Sequence, residues 1–311
     1  MAATEATTLT TPLRILHVHG TKCQQYFFDR RSLFKFTRPP PNRIPSTNEL
    51  PSLPPIMTLI EITVISDPVC PWCYIGYRRL SKAIRLYQKT YPGGSQDRIR
   101  ISWKPYFLDR DAPMESISYI ERMTQKLGAD KVAAAQARLQ RLGAQDGINF
   151  SFGGRFGNTL RAHQVLLLSE LVSRQAGNDE SDTRDIATAV AEGIFRAHFE
   201  DELDITDVET LVLVAVQASE GHLNETRVRS WLEQGQGVEE IDEMAARARR
   251  EGVHGVPCFR IGGGGEAEGT VLTLSGAQDI DEFLQALIAH KSGKQLDSAD
   301  EVAGGQAMTS C

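Results

Sequence analysis

From Leu59 to Ser66 the chain reads LIEITVIS, β-branched and almost continuously apolar, the pattern of a central strand buried on both faces. Asp67-Pro68 breaks that run. From Pro71 onward apolar side chains recur at Tyr77, Leu80, Ile84, Tyr87 and Tyr91, a three- and four-residue spacing that predicts a helix ending at the PGG of residues 92–94. IRISW, from Ile99 to Trp103, alternates apolar and polar positions and predicts a second strand. Strand, helix and strand within so short a span form a βαβ unit, which is normally parallel and right-handed.

After Trp103 the period changes from two to 3.6. Helices are predicted near Ile117–Leu127, Asp130–Leu142, Asn158–Arg174, Thr183–Phe199, Asp207–Ser219 and Glu225–Glu233. A further helix spans Val238–Arg250. GVPCFRI then reads as a strand, TVLTLSG as another, and a last helix covers Asp279–His290. FGGRFGN and IGGGGEAEG lack the strand–loop–helix setting of a phosphate or dinucleotide loop and read as turns. The order is β-α-β, a helical block, then α-β-β-α. The expected fold is α/β, thioredoxin-like, with a large all-helical insertion between the N-terminal β-α-β and C-terminal β-β-α parts. The expected division is 58–105 with 237–290 as a discontinuous thioredoxin-like domain and 106–236 as the helical insertion domain.

Charge and composition sharpen the ends of this picture. Residues 1–57 hold seven Lys/Arg against three acids and are broken by RPPPNRIPS and LPSLPP, with no core pattern of their own. The remaining residues carry 27 basic against 37 acidic side chains. An acidic body without a basic cluster argues against nucleic acid as partner, and no apolar run approaches the length of a membrane span. The first 57 residues read as a disordered or leader extension, and the polar segment 291–311 as a disordered tail. A basic, acid-poor, Ser/Thr-containing leader fits a mitochondrial transit peptide; a start at Met57, where MTLIEITVIS runs straight into structure, is the other reading. Without a secretory h-region the expected location is the cytoplasm, with mitochondria as the alternative.

The chemistry concentrates in DPVCPWCYIG, Asp67 to Gly76. C-x-x-C alone fits a redox pair, half a zinc site or chance. Here Cys70 falls at a strand-to-helix join with Pro71 at the first helical position. That puts its sulfur at the helix N-terminus, where a thiolate is stabilised and its pKa is expected to fall. Cys73, one turn on, can resolve a mixed disulfide. A zinc site wants four ligands; only His254 and Cys258 could complete one. Five cysteines, sparse and odd in number, do not form a secreted disulfide scaffold.

VISDPVCPWCYIGYRRL, ISWKPYFLD, GNTLRAH, FRAHFEDELDITD and GVHGVPCFRIGG resemble the DsbA-like thioredoxin-fold oxidoreductases, and within them the FrnE-like branch. The resemblance spans about Leu59 to His290. It implies thiol–disulfide oxidoreductase activity, with Cys70 attacking, Cys73 resolving and Pro257 a cis-proline. Pro71, Trp72, Val256 and Pro257 become substrate-contacting positions. Disulfide-containing proteins or small thiols become the substrates, with no bound cofactor beyond the dithiol, glutathione as a conceivable co-substrate, and a homodimer allowed. Related kappa-class glutathione transferases and hydroxychromene-carboxylate isomerases usually carry serine at the attacking position, so a glutathione-dependent transferase or isomerase stays as the alternative. A non-catalytic zinc- or partner-binding protein is the second. Asn158 and His163, at the start of an insertion helix, are candidates for the rim of the site. Cys258 departs from the pattern, either as a third thiol near the site or as a small core residue on the other side of the sheet.

Overall fold

The computed structural model describes residues 57–176, 185–262 and 271–293, all within one compact unit. The expectations for residues 1–56, for the tail beyond residue 293 and for 263–269 of the glycine-rich turn lie outside the described residues, while Lys291 and Ser292, read as tail, complete the last helix. Strand β1 (Leu59–Ser66) pairs in parallel with β2 (Arg98–Pro105), Leu59 opposite Arg98 and Ser66 opposite Pro105. Helix α1 (Pro71–Thr90) makes the crossover between them. Strand β5 (Cys258–Ile261) runs antiparallel to β1, with Ile65 opposite Cys258, and β6 (Leu272–Ser275) closes the sheet in the order β2-β1-β5-β6. Ile60, Ile62 and Val64 point into the main core; Ile65 points to the opposite face, because strand side chains alternate.

Between β2 and β5 lie helices α2 (Tyr119–Leu127), α3 (Ala129–Asp146), α4 (Leu160–Ala176), α5 (Ile186–Phe199), α6 (Val208–Ala218), α7 (Glu225–Glu233) and α8 (Val238–Arg250); α9 (Ile280–Ser292) follows β6. This is a thioredoxin fold with a helical insertion. Most ends fall where local chemistry places them. Ser118 caps α2 through the Glu121 N–H, Asp207 caps α6, and Asn224 caps α7. Helix α3 runs past the predicted Leu142 until Gly147, left-handed at φ 75°, ends it.

Two readings need correction. Ile117 and Ser118 are not helical: they form a short strand, β3, paired with β4 (Arg155–Phe156), so FGGRFGN contains a strand as well as turns. A two-residue pairing leaves no period in the sequence to detect. The helix expected from Asn158 starts at Leu160, because the Asn158 side chain turns back to accept the Leu160 N–H at 2.9 Å.

One hydrophobic core runs from the sheet into the helical block. Tyr74 of α1 stacks on Phe195 of α5 at 5.1 Å and donates to Glu200 at 2.6 Å, and Trp103 of β2 donates to Thr188 at 3.0 Å. Asp146, at the end of α3, accepts from both Arg79 and Lys82 at 2.9 Å, fastening the insertion to α1. These contacts hold α1, and therefore its N-terminus, in place.

Candidate functional site

Cys70 is the N-cap residue of α1, in extended conformation, and Pro71 opens the helix. The Cys70 carbonyl accepts the Cys73 N–H at 3.0 Å, and its own N–H donates to the Asp67 carbonyl at 2.9 Å. The fold thus places the cysteine pair where β1 ends and the helix dipole begins. Across from it, the Val256–Pro257 bond is cis and the Cys70 thiol donates to the Val256 carbonyl at 3.7 Å. Residues 186 positions apart meet here. Both thiols are free and buried, Cys70 3 % exposed and Cys73 fully enclosed.

Gly76 permits that approach. A Cβ at this position would lie 2.9 Å from the Phe259 ring and 3.1 Å from the Pro257 ring. Only a residue without one lets α1 lie against the loop and strand carrying Pro257. Sequence reading passed over Gly76, because a glycine inside a helical pattern gives no sign of what it must touch.

The electrostatics differ from expectation. Cys70 is pushed up, not down: the neighbouring Cys73 thiol contributes most, burial adds to it, and Asp67 adds repulsion, while the Cys73 backbone N–H acts in the opposite sense. The helix terminus is present, but a second thiol and the lack of solvent outweigh it. Cys70 therefore rests as a protonated thiol.

Trp72 is half-buried between the cysteines, with the Arg138 guanidinium of α3 5.7 Å from its ring centre. Asn158 and His163 hold a loop. Asn158 donates to the carbonyls of Arg110 and Ala112 at 2.8 and 3.2 Å, and the His163 ring bonds the Tyr106 carbonyl at 3.1 Å. Leu108, in the same loop, donates its N–H to Asp67 at 2.7 Å. Both therefore act one layer behind the cysteines. Burial lowers the His163 pKa to about 4, with the Tyr106 carbonyl opposing and Arg110 adding to the fall.

Cys258 faces away. It packs with Ile65, Tyr106, Ala248 and Val253, a cluster separate from the one containing Cys70 and Cys73. Strand alternation at Ile65 and Cys258 decides this. The four-ligand set of Cys70, Cys73, His254 and Cys258 is accordingly not assembled, and among the described residues no three His, Cys, Asp or Glu side chains gather as a metal would need.

Residues 61–288 match the family described as DSBA-like thioredoxin domain. The chain belongs to that family. The DSBA-like fold is shared with a probable DsbA oxidoreductase from Streptomyces coelicolor, at 25 % identity and a TM-score of 0.61, covering 76 % of this chain and 91 % of that one. A putative protein disulfide isomerase from Nitrosomonas europaea aligns at 15 % identity and 0.51, covering 74 % and 96 %. A 2-hydroxychromene-2-carboxylate isomerase aligns at 18 % identity and 0.48, covering 74 % and 93 %. No curated protein sequence matches the chain. Among the described residues no helix is long and apolar enough to cross a membrane.

Proposed function

We propose that the protein is a thiol–disulfide oxidoreductase in which Cys70 attacks and Cys73 resolves. The observation that carries this reading is the placement of the Cys70 thiol at the α1 N-terminus, 3.7 Å from the Val256 carbonyl, with Cys73 one turn behind. In the reducing direction Cys70 loses its proton and its sulfur attacks a substrate disulfide. One S–S bond breaks, a Cys70–substrate disulfide forms, and one substrate thiolate leaves. Cys73, deprotonated in turn, attacks the Cys70 sulfur and releases the second thiolate. The substrate gains two electrons and the enzyme keeps a Cys70–Cys73 disulfide, which two equivalents of a low-molecular-weight thiol such as glutathione return to the dithiol. An extended substrate reaches the sulfur past Trp72 and the backbone of Val256.

Because Cys70 rests protonated, attack needs a substrate or solvent base that takes its proton. The test is insulin reduction and glutathione conjugation measured side by side on wild type, Cys70→Ser and Cys73→Ser. Insulin reduction lost in Cys70→Ser, with mixed disulfides accumulating in Cys73→Ser, supports the dithiol reading. Conjugation that persists in Cys73→Ser without insulin reduction in wild type would replace it with the transferase reading.

A further inference from the structure

Asp67 lies three residues before Cys70 and is buried, 1 % exposed, although it is a carboxylic acid. Its position is set from three sides. One oxygen accepts the Leu108 N–H of the loop after β2 at 2.7 Å, the other accepts the Val69 N–H of its own turn at 3.4 Å, and the Thr159 hydroxyl bonds it from the segment leading into α4. It makes no ion pair among the described residues. The cations on or bonded to the loop that carries Leu108 are engaged elsewhere: Arg110 is bidentate on Asp242 at 2.9 and 3.0 Å, and Arg249 donates to the Phe107 carbonyl at 2.8 Å. The other acid facing it, Asp109, bonds Arg122 at 2.6 Å. The cysteine turn therefore carries an acid that is held rigidly and has no counter-ion.

The geometry points to Asp67 as the group that sets the reactivity of Cys70: when ionised, its uncompensated charge opposes formation of the Cys70 thiolate and slows its attack. This rests on the dithiol reading above. A buried charge is weakly screened, so its repulsion reaches the neighbouring sulfur. Burial, the largest influence, raises Asp67 to about 6 against the pull of the Leu108 and Val69 N–H groups, so the opposition switches on as pH rises through that region.

Asp67→Asn keeps a carbonyl oxygen for the Leu108 N–H and an amide the Thr159 hydroxyl can accept from, while removing the charge. In full-length protein carrying Cys73→Ser, the iodoacetamide reaction of the Cys70 peptide is followed by mass spectrometry from pH 5 to 9. Asp67→Asn is expected to react roughly fivefold faster at pH 7 and to lose an inflection near pH 6 that the Asp67 protein shows. A reactive Cys70 with superimposable profiles in the two proteins overturns the role of Asp67 alone. A Cys70 inert in both removes the disulfide-exchange reading and this proposal together. Should Asp67→Asn not fold, the ¹³Cγ resonance of Asp67 in wild type decides: it is expected to follow the Cys70 titration and to stop doing so once Cys70 is carboxamidomethylated. A resonance indifferent to Cys70 overturns the proposal.

Discussion

Cys70 and Cys258 are each 3 % exposed and each a free thiol, one at the start of helix α1 and the other in strand β5. Cys70 caps a helix, lies within hydrogen-bond reach of the Val256 carbonyl and has a second thiol one turn away. Cys258 is paired in mid-sheet opposite Ile65 and surrounded by Ala248, Val253 and Tyr106, with burial alone raising it. The buried histidines divide in the same way. His163 holds the Tyr106 carbonyl of the loop that reaches Asp67, whereas neither ring nitrogen of His198 has a partner among Tyr119, Phe152 and Phe199. Equal burial thus yields different chemistry. A buried thiol or imidazole acquires a task where chain ends and loops present polar groups to it, and stays a filler where side chains surround it on every face.

The sharpest way to break this comparison is to exchange the thiols for inert groups. Cys70→Ser is expected to lower disulfide exchange by roughly 10³-fold or more, since serine presents no thiolate, while Cys258→Ala leaves insulin-reduction rates within about twofold and costs about 1–2 kcal/mol of stability. Comparable losses of activity from both would bring Cys258 into the site.

Acid denaturation separates the histidines. Burial lowers both to about 4, from 6.5. A base with a depressed folded pKa contributes stability in full above pH 6.5 and loses it as pH falls towards 4, about 3 kcal/mol for a shift of this size. Asp67 works the other way: raised to about 6 from 3.8, it relieves the folded state as pH falls across that range. His198→Leu should therefore leave stability at pH 7 unchanged or higher and gain about 2 kcal/mol over wild type at pH 5. His163→Leu should lose about 1–3 kcal/mol at pH 7 by orphaning the Tyr106 carbonyl. Urea titrations at the two pH values read both, and equal behaviour of the pair would dissolve the distinction.

Two smaller effects sharpen the picture at the site. Gly76→Ala should cost about 1–3 kcal/mol by forcing α1 off Phe259 and Pro257, and it should slow insulin reduction more than alkylation of Cys70 by iodoacetamide. Asn158→Ala should cost about 1–2 kcal/mol through three lost hydrogen bonds, to Arg110, Ala112 and Leu160. Its activity should fall only as far as the loop carrying Leu108 loosens from Asp67, a change readable as faster amide exchange at Leu108.

Some of this was legible in the chain itself. The eight residues of β1 match the predicted strand, and α7 and α8 match their predicted ranges, because period and capping residues are local properties. Cys70 and Pro71 at a strand–helix join were visible for the same reason. The strand pairing of Ile117–Ser118 with Arg155–Phe156 was not, being too short to carry a period, and neither was the role of Gly76, whose constraint comes from Phe259 far along the chain.

The amino-acid order alone determined the order of elements, the helical insertion and the position of the dithiol at the start of α1, since each depends on neighbours a few residues away. The face taken by Cys258 and the work of Asn158, His163 and Asp67 were decided by the tertiary structure. Each depends on burial and on which backbone groups arrive from β2, α4 and the Pro257 loop. Those groups come from segments roughly forty to 190 residues away, and no spacing along the chain encodes the dielectric or the partners they create when they meet.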